Sequence, residues 1–127
     1  MSGAAKAEQL NREELDSCKI VHESWNQLTR TWTLPTIHSL GMKEPAGFNE
    51  LKRRISDISA TSLAERLTKL ERLGVLDRKV HTEKPLRVEY SLTVKGHELL
   101  KILEDLEEWS KRWADKEPNS KAFIVAK

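Results

Sequence analysis

Arg66 and Lys69 stand on the outward side of a leucine-striped segment, ATSLAERLTKLERLG, that opens with Ser59, Thr61 and Ser62. If that segment is a helix, its small hydroxyl residues leave the first backbone N–H groups open to an anion. Arg66 then offers a planar fork of donors, and Lys69 a compact positive charge. Glu65 shares this side, either as a hydrogen-bond acceptor or as a solvated acid. Arg53 and Arg54 close the segment before it, and Lys84 and Arg87 flank a turn after it. Residues 52–87 hold ten basic and five acidic side chains, a net of +5; the whole chain is at +2, so the remainder carries −3. A basic centre between acidic ends suits a polyanion partner, although a solvated charged surface gives the same tally.

Other reactive residue types do not assemble into a site. His22, His38, His81 and His97 are scattered, with neither a metal-binding pair framing a carboxylate nor a nucleophile beside a base. The chain shows no glycine-rich phosphate loop, and no enzyme activity, cofactor or metal is expected. Cys18 and His22 are four apart and would share a helix face, as half a metal site or as an activated thiol. The simpler reading is a small buried cysteine beside a surface histidine.

The elements that would position these residues follow from periodicity. From Leu10, the residues Cys18, Val21, Trp25, Leu28 and Trp32 recur at steps of three and four, a helical stripe. Order is expected to break before Trp32, where threonines cluster. Thr33 is expected to cap a second helix, with Pro35 in its first turn and Gly41 as its stop. Pro45 and Gly47 mark a loop. Residues 48–55 place Phe48, Leu51 and Ile55 on one face. After a short connector, Ser59 caps the next helix, with Leu63, Leu67, Leu70 and Leu73 inward and Gly74 at its end. The period then becomes two. Residues 75–81 and 86–92 read as strands with one face buried, Tyr90 pointing inward, joined at the tip by Thr82, Glu83, Lys84 and Pro85. Thr93 caps a last helix whose stripe is Leu99, Ile102, Leu106, Trp109 and Trp113, ending at Pro118.

Two short helices joined by a tight connector and followed by a basic hairpin make a winged helix-turn-helix, an α+β and mostly helical fold. In such a fold the partner is double-stranded DNA. Arg66 could read guanine O6 and N7, Lys69 a phosphate, and Glu65 cytosine N4. Arg53, Arg54, Lys84 and Arg87 would contact the backbone or minor groove. A salt bridge to Glu65 or Asp57 is the competing role for Arg66. Val21 and Trp25 on the first helix, with Leu99, Ile102, Leu106, Trp109 and Trp113 on the last, suit either a core within one chain or an interface between two. A chain of 127 residues has limited core volume, which favours a homodimer with N- and C-terminal dimerisation helices.

The chain also resembles a known family. WTL at residues 32–34, GFNELKRRISDIS at 47–59, LAERLTKLERLGVLDRKV at 63–80 and KPLRVEYSLTVKGHEL at 84–99 are similar to the HxlR family of bacterial and archaeal winged-helix regulators, a relative of the MarR group. The resemblance implies a dimeric DNA-binding transcription regulator. It also places Cys18 where redox-responsive members carry a cysteine. Local chemistry points the other way, because Glu14 and Asp16 lie nearby and the stripe that Cys18 begins is expected to pack at the subunit interface, where burial favours an inert thiol.

The remaining expectations are organisational. A 38% apolar and 33% charged composition fits a soluble globular chain. No apolar run is long enough for a membrane span, the first residues lack an apolar signal-type core, and a single cysteine forms no internal disulfide, so the cytoplasm is expected. Residues 1–9 read as a flexible N-terminus, 10–117 as one domain and 118–127 as a tail. The rival readings are a winged helix that docks protein rather than DNA, and a redox- or ligand-gated regulator whose effector is unknown. Repression is the expected mode of action.

Overall fold

The structure is a computed structural model and describes residues 9–116. The expected flexible start, apart from Gln9, and the tail with Pro118 lie outside the described residues. The chain groups into two compact units divided between Thr31 and Trp32.

The first unit contains one helix, α1 (Arg12–Leu28). It starts two residues after Leu10 because Asn11 and Glu14 form a reciprocal capping box: Asn11 Oδ1 accepts from Glu14 N at 2.8 Å, and Glu14 Oε2 from Asn11 N at 3.1 Å. It ends at Thr29, whose hydroxyl and amide both donate to the Trp25 carbonyl. None of its 17 residues is buried. Cys18 is exposed, which corrects the expectation of a buried thiol within the chain.

The second unit runs α2 (Thr33–Met42), α3 (Phe48–Arg54), α4 (Ala60–Arg72), β1 (Leu76–His81), β2 (Arg87–Leu92) and α5 (Val94–Ala114). It is a mostly helical α+β winged helix. Its core is aliphatic: Ile37 and Leu40 of α2, Leu51 of α3, Leu63, Leu67 and Leu70 of α4, and Leu76 of β1 are essentially inaccessible. Each such side chain contributes about 1.5–3 kcal/mol through burial.

Two expectations about α2 are corrected. Its N-cap is Trp32, in the left-handed region at φ 72°, rather than Thr33, which is the first helical residue and fully buried. The helix also passes through Gly41 to Met42. Gly41 is there for clearance: a β-carbon would sit 2.5 Å from Leu100 Cδ2 of α5. Close approach of two helices, rather than chain reversal, explains this glycine.

α4 follows its sequence closely. Ser59 accepts from Ser62 N at 3.0 Å, and Leu63, Leu67 and Leu70 are buried. At the far end Gly74 takes φ 77°, Val75 N bonds Leu70 O and Gly74 N bonds Glu71 O, both at 3.0 Å, which is a Schellman closure. β1 and β2 pair antiparallel with Leu76 opposite Leu92, Arg78 opposite Tyr90 and His81 opposite Arg87. The expected buried face exists only at the base: Leu76 and Leu92 are buried and Tyr90 is half-buried, whereas Val80 is 42% and Leu86 71% exposed. A two-stranded ribbon that outruns the helices has nothing to cover its outer half.

On α5 the buried positions are Gly96, Leu103 and Ala114, with Leu99 and Leu100 packed against the core. Of the expected stripe only Leu99 turns inward; Ile102, Leu106, Trp109 and Trp113 are exposed. The helix stops at Ala114, before Pro118 is reached.

Candidate nucleic-acid interface

The outward face of α4 is built by its own leucine stripe. With Leu63, Leu67 and Leu70 committed to the core, Thr61, Glu65 and Lys69 project into solvent together with Ala64 and Thr68. Ser59 is exposed and engaged as the cap, and Ser62 is half-buried. Arg66 is not the fully projecting side chain that periodicity predicts. It is half-buried, and its Nε is inaccessible and without a hydrogen-bond partner. Among the described residues it forms no salt bridge, so the competing pairing with Glu65 or Asp57 is absent.

The other expected cations divide into two groups. Arg53, Lys84 and Arg87 are exposed. Arg54 is engaged in the fold. Its Nη1 donates to the carbonyls of Ser39 at 2.8 Å and Lys43 at 3.0 Å, and its Nη2 lies 3.7 Å from Glu50. These bonds fasten α3 to the last turn of α2 by occupying carbonyls that have no partner further along the helix. Arg54 is therefore withdrawn from the set of solvent-facing cations. Of the ten basic residues in 52–87, Arg54 alone is in a salt bridge among the described residues. The rest of the positive charge around α3, α4 and the hairpin is uncompensated at close range.

The fold adds residues that periodicity did not select. Asn49, Lys52, Arg53 and Ser56 line an open cleft of about 550 Å³ on α3 and the turn after it. Phe48, Ala64, Thr68, Glu71, Arg78 and Tyr90 line a recess of about 370 Å³ where α4 meets the hairpin. Lys52 and Arg78 lie inside the basic stretch, and that was the available signal for them. A third recess, about 360 Å³ and mainly apolar, runs between Leu34, Pro35 and His38 of α2 and Leu103, Leu106 and Glu107 of α5. There Glu107 accepts from Lys111 at 2.9 Å and pairs with His38 at 3.1 Å, and these bonds, that of Lys111 first, hold its carboxyl below the ordinary value. Among the described residues no cluster of histidine, cysteine and acidic side chains could hold a metal ion.

Comparison with known proteins places this arrangement. The model of the HxlR-like helix-turn-helix family matches residues 27–118, the stretch that contains α2 to α5.

The chain belongs to the HxlR-like helix-turn-helix family.

Among its HxlR-like relatives, the HTH-type transcriptional regulator YvaP of Bacillus subtilis (strain 168) is 33% identical over 106 residues, covering 84% of this chain and 95% of YvaP. The HTH-type transcriptional regulator YodB of the same organism is 33% identical over 98 residues, 77% of this chain and 87% of YodB. The solved structure of reduced YodB superposes with a TM-score of 0.64, covering 72% of this chain and 89% of that one, and diamide-treated YodB with 0.61, covering 72% and 90%. The redox regulator HypR in its reduced form reaches 0.68 at 28% identity, covering 75% and 93%. The winged helix-turn-helix read from the order of elements is thus the HxlR type, and its named relatives are transcriptional regulators. No described helix is long and apolar enough to cross a membrane.

Proposed function

We propose that this chain is a sequence-specific double-stranded DNA-binding transcription regulator that acts as a homodimer in the cytoplasm and represses by occupying its site. One observation carries the reading: the cations of residues 52–87 are left unpaired around a helix-turn-helix and its wing, with Arg54 alone diverted to the fold. The exposed face of α4 enters the major groove, with Thr61, Glu65, Arg66 and Lys69 toward the bases and nearest phosphates. Ser59 and Ser62 keep the helix N-terminus close to the backbone. Arg53, joined by Lys52, and the wing residues Lys84 and Arg87 neutralise phosphates on either side.

The homodimer is supported by the stripe on α5. Ile102, Leu106, Trp109 and Trp113 are between 43% and 63% exposed, and Val21 and Trp25 of α1 are 38% and 57% exposed. Exposed apolar side chains grouped along one helix face mark an interface. A two-fold dimer presents two recognition helices to two half-sites about one helical turn apart.

Electrophoretic mobility shifts on the DNA upstream of the chain's own gene, at two salt concentrations and against a scrambled duplex, test this. Matched-site preference with a steep loss of affinity in salt is the expected result. Absence of binding to any duplex would favour a protein-docking winged helix.

A second reading, a thiol-responsive regulator, is supported by the exposure of Cys18 and by similarity to YodB and HypR. With one cysteine per chain, disulfide formation is limited to a bond between subunits or a small-thiol cap. Reductant-reversible loss of DNA affinity under diamide, absent in Cys18→Ser, would establish it.

A further inference from the structure

Glu44 ties together three elements at the root of the wing. It lies in the segment after α2 with its side chain only 20% exposed. Its Oε1 accepts the backbone N–H of Leu92 at 2.7 Å, and its Oε2 meets His97 Nε2 at 2.7 Å. Leu92 is the last residue of β2, and His97 stands in the opening turns of α5. Two residues beyond Glu44, Ala46 exchanges both backbone hydrogen bonds with Tyr90, at 3.0 and 2.8 Å. The outer edge of β2 is therefore held where it leaves the core. The other side of the root is held too: the Thr93 hydroxyl donates to the carbonyls of Gly74 and Val75, and Lys95 Nζ donates to Leu73 O at 2.7 Å. Beyond the root, the hairpin is exposed from Thr82 to Arg87, and no burial there sets its direction.

A carboxylate suits this position because two donors from different elements converge on it. Each of its oxygens takes one of them, and a charged acceptor makes the stronger bond. An isolated two-stranded hairpin is at best marginally stable, so the direction in which this one projects is decided at its root. We propose that Glu44 is a positioning residue for the wing: its carboxylate sets the direction in which Lys84 and Arg87 are presented to the duplex. The proposal rests on the DNA-binding reading for its purpose, while the strap itself can be tested without DNA.

Amide hydrogen exchange and a mutant cycle on DNA affinity are the tests. In the wild type, the Leu92 amide is expected to be protected to the level of Tyr90; protection no better than at Lys84 in the tip would overturn the strap, and this measurement needs no variant. In Glu44→Ala, Leu92 should exchange roughly tenfold faster or more, with Leu67 in α4 unchanged. Affinity for the matched duplex should fall roughly tenfold with base preference intact, and removing Lys84 and Arg87 together should then cost far less than it costs the wild type. Glu44→Gln, which keeps an acceptor for Leu92, should retain most of the protection and affinity. Additive losses for Glu44→Ala and the wing double variant would overturn the proposal. A wild-type chain that binds no duplex would overturn the DNA-binding reading and leave the exchange result standing.

Discussion

Gly96 of α5 lies against the carbonyl oxygen of Val75 with no room for a β-carbon between them. The same carbonyl accepts Thr93 N at 3.1 Å, so it cannot move without disturbing the start of α5. Gly96→Ala is expected to destabilise by about 1–3 kcal/mol, the usual cost of overpacking. Gly41→Ala makes an instructive contrast. Its new methyl group comes nearest to the branched end of Leu100, a side chain that can shift more readily than a backbone carbonyl, and alanine recovers up to about 1 kcal/mol of helix propensity. Urea midpoints should therefore fall clearly for Gly96→Ala and little for Gly41→Ala; the reverse order would contradict the packing described.

Arg66 and Lys84 should fail in different ways. Arg66→Ala is expected to relax preference at one base position per half-site, by about 1–3 kcal/mol. Lys84→Ala should weaken matched and scrambled duplexes alike and reduce the salt slope by about one unit. An unchanged base profile for Arg66→Ala would remove it from the bases and leave its buried Nε as a feature of packing.

Leu106→Ala combined with Trp109→Ala should dissociate the proposed dimer and weaken the proposed DNA binding together. Sedimentation at low micromolar concentration is the check, and a variant that remains dimeric would place the interface elsewhere.

Glu107 predicts a modest pH effect. Its carboxyl is held below the ordinary 4.5 by the bond from Lys111 and then by that from His38. A depressed carboxylate stabilises the fold above 4.5, and the contribution is lost as pH falls through the lowered value. The difference in Tm between wild type and Glu107→Gln should thus be present at about pH 7, shrink below about pH 4.5, and shrink also in high salt because the group is exposed. A difference that stays undiminished well below about pH 4.5 would contradict the assignment.

Features set by neighbours along the chain were legible in the sequence. The Ser59 and Thr93 caps, the leucine stripe of α4 and the Gly74 ending all depend on residues within a turn or two. Features set by distant partners were not. Gly41 carries the same local signal as Gly74, and only Leu100, far along the chain, distinguishes clearance from termination. Arg54 resembles its neighbour Arg53 until Ser39 and Lys43 turn their carbonyls toward it. Strand alternation marks Val80 and Leu86 as inward, but alternation cannot say whether anything lies over them. Glu44 has no local signature, since its partners stand 48 and 53 positions away.

The uncovered tip of the wing separates where the fold tolerates substitution from where it does not. The exposed side chains from Thr82 to Leu86 contribute little to the core, so exchanging them carries almost no penalty in stability. Glu44, Tyr90 and Leu92 at the root have no such freedom. Substitutions at the tip therefore alter the surface that the hairpin presents at little cost to the fold, whereas those at the root disturb the contacts that hold it.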